Sequence, residues 1–343
     1  MSSSIQAAAR AAIKLGAALT GPGPRNDRGA RVDAETWAML RALEISGRPT
    51  IDELGPDAAR REMTRLTALS DLPSEELASV DDRSAPGPGG PIGLRRYVPV
   101  GARKAAPCLV YFHGGGFVIG DLASHDGLCR FLAARSGATV IAVDYRLAPE
   151  HPFPGAVIDA VAAFRWIAAH ADELGVDARR LAIGGDSAGG NLAAVVSQQL
   201  VDEDGPRPCF QLLIYPATDM RGGTASRQRF AKRYFLTESM IDFFMANYLT
   251  DVSQESDVRA SPLLRPSLAG LPPAHVIVAG FDPLRDEGEA YARALTEAGV
   301  PTSLRAYDGL IHGFMSMGGV IDAARSAIED IGDELRRRLV ERR

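Results

Sequence analysis

The chain has 343 residues, of which 46% are hydrophobic and 24% charged, and its formal net charge is −5. This length and composition are typical of a globular protein with one or two domains. They argue against a nucleic-acid partner, which would need a basic stripe, and the sequence has no apolar run of the length that membrane insertion by a helix requires.

The first third of the chain is predicted to be mostly helical. The N-terminal stretch is predicted to form a weak amphipathic helix followed by the loop "GPGPRNDRGAR" at 21–31. Arg10 and Lys14 interrupt the stretch that would have to be apolar in a signal peptide. From Val32 to about Leu72 apolar residues recur at helical spacing. Two strands, "ASVDDRS" at 78–84 and "LRRYVPV" at 94–100, then flank the turn cluster "APGPGGPIG".

After Ala105 short apolar runs alternate with helical segments. The runs are "CLVYF", "TVIAVDY", "LAIGG", "FQLLIY", "HVIVAG" and "TSLRAY", and the helices are predicted at 155–174, 188–203 and 284–298 and from about Ile321 onward. Continuous apolar strands alternating with helices predict an α/β fold with a mostly parallel sheet covered on both faces.

About forty residues between the fourth and fifth of these runs carry no strand signal. Two helices fit there, and the stretch contains several Phe and Tyr residues. Open α/β sheets bind ligands at the carboxyl ends of their strands, so an insertion after a strand is well placed to act as a lid.

The sequence Gly185-Asp186-Ser187-Ala188-Gly189 lies between a predicted strand and a predicted helix. A nucleophile on such a sharp turn is exposed at the helix N-terminus, and the close approach of strand and helix tolerates only small residues two positions to either side. This G-x-S-x-G pattern predicts Ser187 as a nucleophile; alone, it would also fit a turn that only packs a helix on a sheet.

A serine nucleophile needs a base and an acid that orients the base, and in this architecture they follow the serine in the order acid, then histidine. His312, in a Gly-flanked loop after the last strand, is the predicted base, whereas His275 opens a strand and is predicted to be structural. Asp282, directly after a strand, is the predicted acid. The other acids considered for this role are Asp308, which precedes the histidine's turn, and Asp286 and Glu287, about a helical turn after Asp282.

Three successive glycines in "YFHGGGFVIG", at 111–120, predict a loop that points backbone N–H groups into a cleft. The N–H groups of Gly115, Gly116 and Ala188 would form the oxyanion hole, and His113 would brace the loop. A dinucleotide site with Asp144 as ribose ligand fits poorly, because the next helix begins well after the glycines.

Three cysteines, Cys108, Cys129 and Cys209, do not suggest a disulfide framework, and no zinc-ligand spacing occurs. We therefore expect no metal, and a reducing compartment such as the cytoplasm.

The motifs "HGGGF", "DYRLAPEHPFP", "GDSAGG", "DPLRDEG" and "HGF", in this order, resemble those of the bacterial hormone-sensitive-lipase family of α/β-hydrolases (family IV, GDSAG branch). The resemblance covers roughly Val32 to the C-terminus, and residues 1–31 extend beyond the usual pattern. It implies a mostly parallel eight-stranded sheet, a helical cap, no cofactor, and Ser187, Asp282 and His312 as the catalytic residues. It also implies a cap formed by 1–50 and 218–262 on a core formed by 51–217 and 263–343.

The resemblance implies a carboxylesterase acting on small-molecule esters with short to medium acyl chains, without membrane insertion. The alternatives are an aryl amide hydrolase or deacetylase with the same triad and a ligand receptor without catalysis. A homodimer through an edge strand is also consistent with the sequence. Candidates for the pocket wall are Phe117, Asp186 and Phe235, with Glu150, Phe230, Phe243 and Phe244 as further possibilities.

Overall fold

The computed structural model describes residues 3–341, and within them eight strands form one sheet. The strands are β1 Leu77–Gly87, β2 Gly90–Pro99, β3 Ala106–Phe112, β4 Thr139–Asp144, β5 Val176–Asp186, β6 Gln211–Ile214, β7 Ala274–Phe281 and β8 Thr302–Ile311. Their order is β1-β2-β4-β3-β5-β6-β7-β8. All neighbouring pairs are parallel except β1 with β2 and β2 with β4. The predicted mostly parallel eight-stranded sheet is therefore confirmed.

Eleven α-helices lie in the described part of the chain. They are α1 Ser3–Leu19, α2 Ala34–Ser46, α3 Pro56–Ser70, α4 Asp126–Ser136, α5 Gly155–Ala169, α6 Ala171–Leu174, α7 Ala188–Val201, α8 Ala225–Arg229, α9 Glu238–Tyr248, α10 Arg285–Glu297 and α11 Asp322–Leu335. Met1 and Ser2 of the predicted N-terminal helix and the last two residues, Arg342 and Arg343, fall outside the described residues.

The sheet has a hydrophobic core on each face. Along β3, Cys108, Val110 and Phe112 belong to one buried cluster, and Leu109 and Tyr111 belong to the other. Successive side chains of a strand point to opposite faces, so a strand covered on both sides must be apolar at every position. This accounts for the uninterrupted apolar runs in the sequence.

The first two strands form the predicted hairpin, but they extend into the predicted turn cluster. β1 continues to Gly87 and β2 begins at Gly90. Ala85 lies opposite Ile92, and both side chains are buried. Burial of this cross-strand pair outweighs the turn preference of the surrounding Pro and Gly residues, so the predicted turn was too long.

The segment between β6 and β7 carries α8 and α9, as the absence of strand signals predicted. It begins at the carboxyl end of β6, the edge of the sheet at which β5 and β7 also end. None of the helices within 3–341 is long and apolar enough to cross a membrane.

Candidate active site

Ser187 lies at the sharp turn between β5 and α7. Its backbone has φ 55° and ψ −116°, a conformation that residues other than glycine rarely adopt. A Cβ atom on Gly185 would lie 2.3 Å from the carbonyl oxygen of Phe112, and one on Gly189 would lie 1.9 Å from the same atom. The two glycines of the G-x-S-x-G pattern are therefore required by the contact of this turn with the end of β3.

A continuous hydrogen-bonded chain links Ser187, His312 and Asp282. The Ser187 Oγ is 2.9 Å from His312 Nε2, and His312 Nδ1 is 2.8 Å from Asp282 Oδ2. Asp282 is completely buried, and its other carboxyl oxygen accepts the N–H of Leu284 at 2.8 Å. Because a carboxylate only accepts, the His312 proton belongs on Nδ1, which leaves Nε2 free to accept the proton of Ser187.

Two of the other acids considered for this site, Asp308 and Asp286, lie elsewhere. The Asp308 side chain is about half exposed and lies 4.0 Å from Arg28. Asp286 accepts the backbone N–H of Ser226 at 2.8 Å. His275, at the start of β7, is bonded to the Ser303 hydroxyl at 2.8 Å, which fits the structural role expected for it.

Three backbone N–H groups near Ser187 have no acceptor within residues 3–341. They belong to Gly115, Gly116 and Ala188, the residues predicted to form an oxyanion hole. Gly115 and Gly116 have φ of 123° and 59°, and a Cβ on Gly115 would lie 2.1 Å from the carbonyl oxygen of Ile119. The loop conformation thus depends on the absence of side chains at the predicted positions.

The buried carboxyl of Asp186 holds this glycine loop in place. Its Oδ1 accepts the N–H of Gly114 at 3.0 Å and the hydroxyl of Tyr111 at 2.7 Å, and it faces His125 Nε2 at 3.5 Å. Burial alone would raise the pKa of Asp186, but His125, together with the hydrogen bond from Tyr111 and the nearby His113, outweighs this effect, so the pKa is lowered. Burial by itself would lower the pKa of His125, but Asp186 raises it, and the net shift is upward. Each partner thus shifts the pKa of the other toward its charged form, which offsets the effect of burial on both.

His113 is bonded through Nδ1 to the carbonyl oxygen of Gly114 at 2.8 Å, so it braces the loop as expected. Its ring stacks on Tyr145 with centroids 4.3 Å apart. Burial, followed by the charge of His125, lowers the pKa of His113 to about 4, which keeps the ring neutral near neutral pH.

Comparison with known proteins identifies this arrangement. Residues 109–316 match a family model described as "alpha/beta hydrolase fold". The chain belongs to the α/β-hydrolase family. The predicted hormone-sensitive-lipase branch is confirmed by the curated relatives.

Two of these relatives are named hydrolases of esters. The chain is 46% identical over 300 residues to the carboxylic ester hydrolase LipN of Mycobacterium tuberculosis, covering 84% of this chain and 78% of the relative. It is 39% identical to an ethyl acetate hydrolase of Pseudomonas putida, covering 83% and 91%. A solved thermostable esterase from Pseudomonas putida superposes with a TM-score of 0.86 at 40% identity, covering 90% of this chain and 98% of that one.

The Ser187 hydroxyl of this α/β-hydrolase opens into an apolar cavity of about 130 Å³, which we call the catalytic cavity. The predicted wall residues Phe117, Asp186 and Phe235 line it, and so does Phe244. The other expected positions lie outside it: Phe243 packs against the core, Phe230 is buried against Phe281, and Glu150 is bound to Arg60 at 2.6 Å. Phe243 and Phe230 therefore have packing roles, and Glu150 forms an ion pair with Arg60.

Glu287 also lines the catalytic cavity of the hydrolase. Its side chain is buried, its Oε1 accepts the N–H of Thr218 at 2.7 Å, and its Oε2 has no partner within the described residues. Burial raises the pKa of Glu287 to about 8. The sequence suggested Glu287 only as an alternative to Asp282 for the catalytic acid. In the structure it instead binds the segment after β6, which lies beside Ser187.

His125 and Tyr111 were not identified from the sequence. His125 stands just before α4, and Tyr111 is one of the apolar-looking residues of β3. No local sequence pattern marks either residue, because both matter only through their contacts with the Asp186 carboxylate. Among residues 3–341, no group of three or more potential metal ligands is found.

Proposed function

We propose that this α/β-hydrolase is a serine carboxylesterase that cleaves small acyl esters through an acyl-enzyme intermediate. The observation that carries the proposal is the chain of hydrogen bonds from Ser187 through His312 to Asp282, opening onto an apolar cavity. The esterase names of relatives at 39–46% identity support it.

In the first half of the reaction, Ser187 Oγ attacks the ester carbonyl as His312 Nε2 takes its proton. Asp282 accepts the Nδ1–H bond, fixes the tautomer and stabilises the imidazolium that forms. The carbonyl oxygen gains negative charge and is bound by the N–H groups of Gly115, Gly116 and Ala188. When the tetrahedral intermediate collapses, the C–O bond to the alcohol breaks and His312 protonates the leaving oxygen.

In the second half, a water molecule attacks the acyl-enzyme carbonyl while His312 takes one of its protons. The same N–H groups stabilise the second tetrahedral intermediate. Its collapse releases the carboxylic acid, and the proton on His312 returns to Ser187 Oγ. The serine and histidine are then in their initial protonation states.

The size and lining of the catalytic cavity favour short acyl groups. Its volume is about 130 Å³, and an apolar cavity of about 150 Å³ accommodates one benzene molecule. Met240, Ile241 and Leu236 of the insertion provide apolar surface. Burial of an acyl chain of a few carbons against these side chains supplies binding energy without any charged partner.

The cap is proposed to consist of 1–50 and 218–262. Helices α8 and α9 of the second part supply cavity residues, and α3, which this division assigns to the core, supplies Met63 and Leu66.

We also propose that the enzyme is cytoplasmic, which the three free cysteines support. We further propose a homodimer through β8, an edge strand on which Leu304 is 46% exposed.

The test is hydrolysis of 4-nitrophenyl esters from acetyl to dodecanoyl by the unchanged protein and by Ser187→Ala. We expect the highest kcat/KM at short chains and a loss of at least about 10³-fold in the variant, because nucleophile and base act as a unit. The matched control is Ser197→Ala on α7, whose hydroxyl bonds to Ala193 O, and it retains activity.

Retention of ester hydrolysis by Ser187→Ala would refute the mechanism. Inactivity of the unchanged protein on every ester would refute the function, and aryl amide hydrolysis and ligand binding would then be measured.

A further inference from the structure

A second cavity, which we call the cap chamber, adjoins the catalytic cavity. It has a volume of about 370 Å³, and its lining comes from 37–66 and 233–240, with no sheet residue among the described lining positions. Trp37, Leu40 and Leu43 of α2 form an apolar wall. Charged side chains also line it: Glu44, Arg48, Glu62, Arg65 and Arg233.

Four apolar side chains separate the cap chamber from the catalytic cavity. Ile51, Leu66, Phe235 and Met240 line both spaces. They come from residues 51–66 and from the insertion, so the partition lies where these two segments meet. Displacement of one of these side chains would join the two cavities.

Phe235 is held in this partition by an unusual backbone. Its φ is 70°, and the Leu236 N–H donates to the carbonyl oxygen of Tyr234 at 2.9 Å, which closes a three-residue turn around Phe235. This turn is rare and costs free energy. The ring lies 3.0 Å from where a Cβ on Gly313 would stand, directly after His312.

The two volumes define what each space can hold. The catalytic cavity, at about 130 Å³, holds at most a group of about the size of benzene. The cap chamber, at about 370 Å³, is nearly three times as large, and apolar side chains form much of its wall. A long acyl chain therefore exceeds the catalytic cavity and fits only if it continues past the partition.

We propose that the cap chamber is a second binding subsite, which takes the distal carbons of a long acyl chain, and that Phe235 closes the passage to it. This inference rests on the esterase function proposed above. With Phe235 in place the enzyme prefers short acyl esters, so Phe235 determines its chain-length preference.

Phe235→Ala tests the partition. Removing the ring joins the two spaces, and burial of each further methylene contributes up to about fourfold in affinity. We expect kcat/KM for the dodecanoyl ester to rise at least tenfold relative to that for the acetyl ester. Phe243→Ala is the matched control, because this insertion aromatic lines neither space, and it leaves the ratio unchanged.

The double variant Phe235→Ala/Leu43→Asp tests the chamber itself. A carboxylate on the wall of the cap chamber opposes an alkyl chain, so the gain at dodecanoyl is lost. A gain that persists in the double variant, or a Phe235→Ala protein whose dodecanoyl-to-acetyl ratio does not rise, would overturn the proposal.

Binding of dodecanoate to Ser187→Ala proteins gives a readout that does not depend on turnover. Calorimetric titration is expected to show at least tenfold tighter binding to Ser187→Ala/Phe235→Ala than to Ser187→Ala alone. Equal affinities would refute the subsite. Absence of ester hydrolysis together with this affinity difference would instead refute only the proposed esterase function.

Discussion

At the scale of single residues, the partners of a buried carboxyl decide the direction in which its pKa shifts. Asp186 and Glu287 both line the catalytic cavity, yet their environments differ. Asp186 faces His125, which lowers its pKa, whereas Glu287 receives only backbone donors and burial raises its pKa to about 8. A charged partner thus keeps one carboxylate ionised to hold the glycine loop, and its absence favours the neutral form of the other.

We predict that the unchanged protein loses stability as pH rises because of Glu287, and that Glu287→Gln abolishes this loss. The folded protein keeps a proton on Glu287 up to a pKa of about 8, whereas the unfolded chain releases it near its ordinary value of 4.5. Unfolding is therefore increasingly favoured as pH rises between these values, by at most about 1.4 kcal/mol per pH unit. Glutamine cannot titrate, and its Oε1 keeps the bonds to Thr218 and Asp219.

Thermal unfolding followed from pH 5 to pH 8 measures the difference between the two proteins. The Gln variant should match the unchanged protein near pH 5 and exceed its unfolding temperature at pH 8. Parallel curves over this range would contradict the raised pKa.

At the scale of elements, close contacts around the turn from β5 to α7 leave no room for a Cβ atom at its two glycines. The strained Ser187 conformation is retained because β3, β6 and α7 surround it. Its N–H donates to the carbonyl oxygen of Ile214 at 2.9 Å, and its own carbonyl oxygen accepts the N–H of Asn191 at 3.0 Å. Neighbouring secondary structure thus stabilises a backbone that an isolated peptide would not adopt.

Gly189→Ala is predicted to destabilise the fold by several kcal/mol. The added Cβ would lie 1.9 Å from the carbonyl oxygen of Phe112, which is backbone and cannot rotate away. Chemical denaturation measures the change. The control is Gly55→Ala, before α3, where φ is −50° and the new methyl would meet no atom within 4 Å. Equal stability of the two variants would show that the turn tolerates side chains.

At the scale of the whole molecule, the N-terminal segment is joined to the end of the sheet. Arg285, which is 2% exposed, makes two bonds to Asp27 at 2.7 and 2.8 Å. Asn26 donates to the carbonyl oxygens of Gly280 and Asp308, both at 3.3 Å. These contacts fix residues 24–33 beside the loops that carry Asp282 and His312.

Asp27→Asn is predicted to lower the free energy of unfolding by about 1–2 kcal/mol at neutral pH. The buried Arg285 then loses a bidentate carboxylate, although the partial exposure of Asp27 moderates the loss. The hydrogen bonds of Arg285, followed by its charge, lower the pKa of Asp27 to about 2. The stabilisation is therefore complete above the ordinary value of 3.8 and is lost as pH falls through about 2.

The measurement is chemical denaturation at pH 7 compared with the variant Asp257→Asn. Asp257 bonds to Arg259, two residues away, whose side chain is 45% exposed, whereas that of Arg285 is 2% exposed. A loss no larger in Asp27→Asn than in Asp257→Asn would mean that the N-terminal segment adds nothing through this ion pair.

The sequence alone determined the order of the strands and helices after Ala105 and the position of Ser187. Both depend on local rules: a strand buried on two faces is apolar throughout, and a crowded strand-to-helix turn needs glycine at fixed positions. His312 and Asp282 followed from the order of residues in this architecture, and the structure places both within hydrogen-bonding distance of their neighbours.

Only the tertiary structure decided what is set by the approach of distant segments. Asp282 and Asp308 are the same type of residue, but Asp282 is buried against His312 whereas Asp308 is exposed. Asp186, 61 positions along the chain, raises the pKa of His125, and the partition at Phe235 exists only where 51–66 meets 235–240. Burial, charge pairing and cavity shape are properties of the packed chain, so no local pattern carries them.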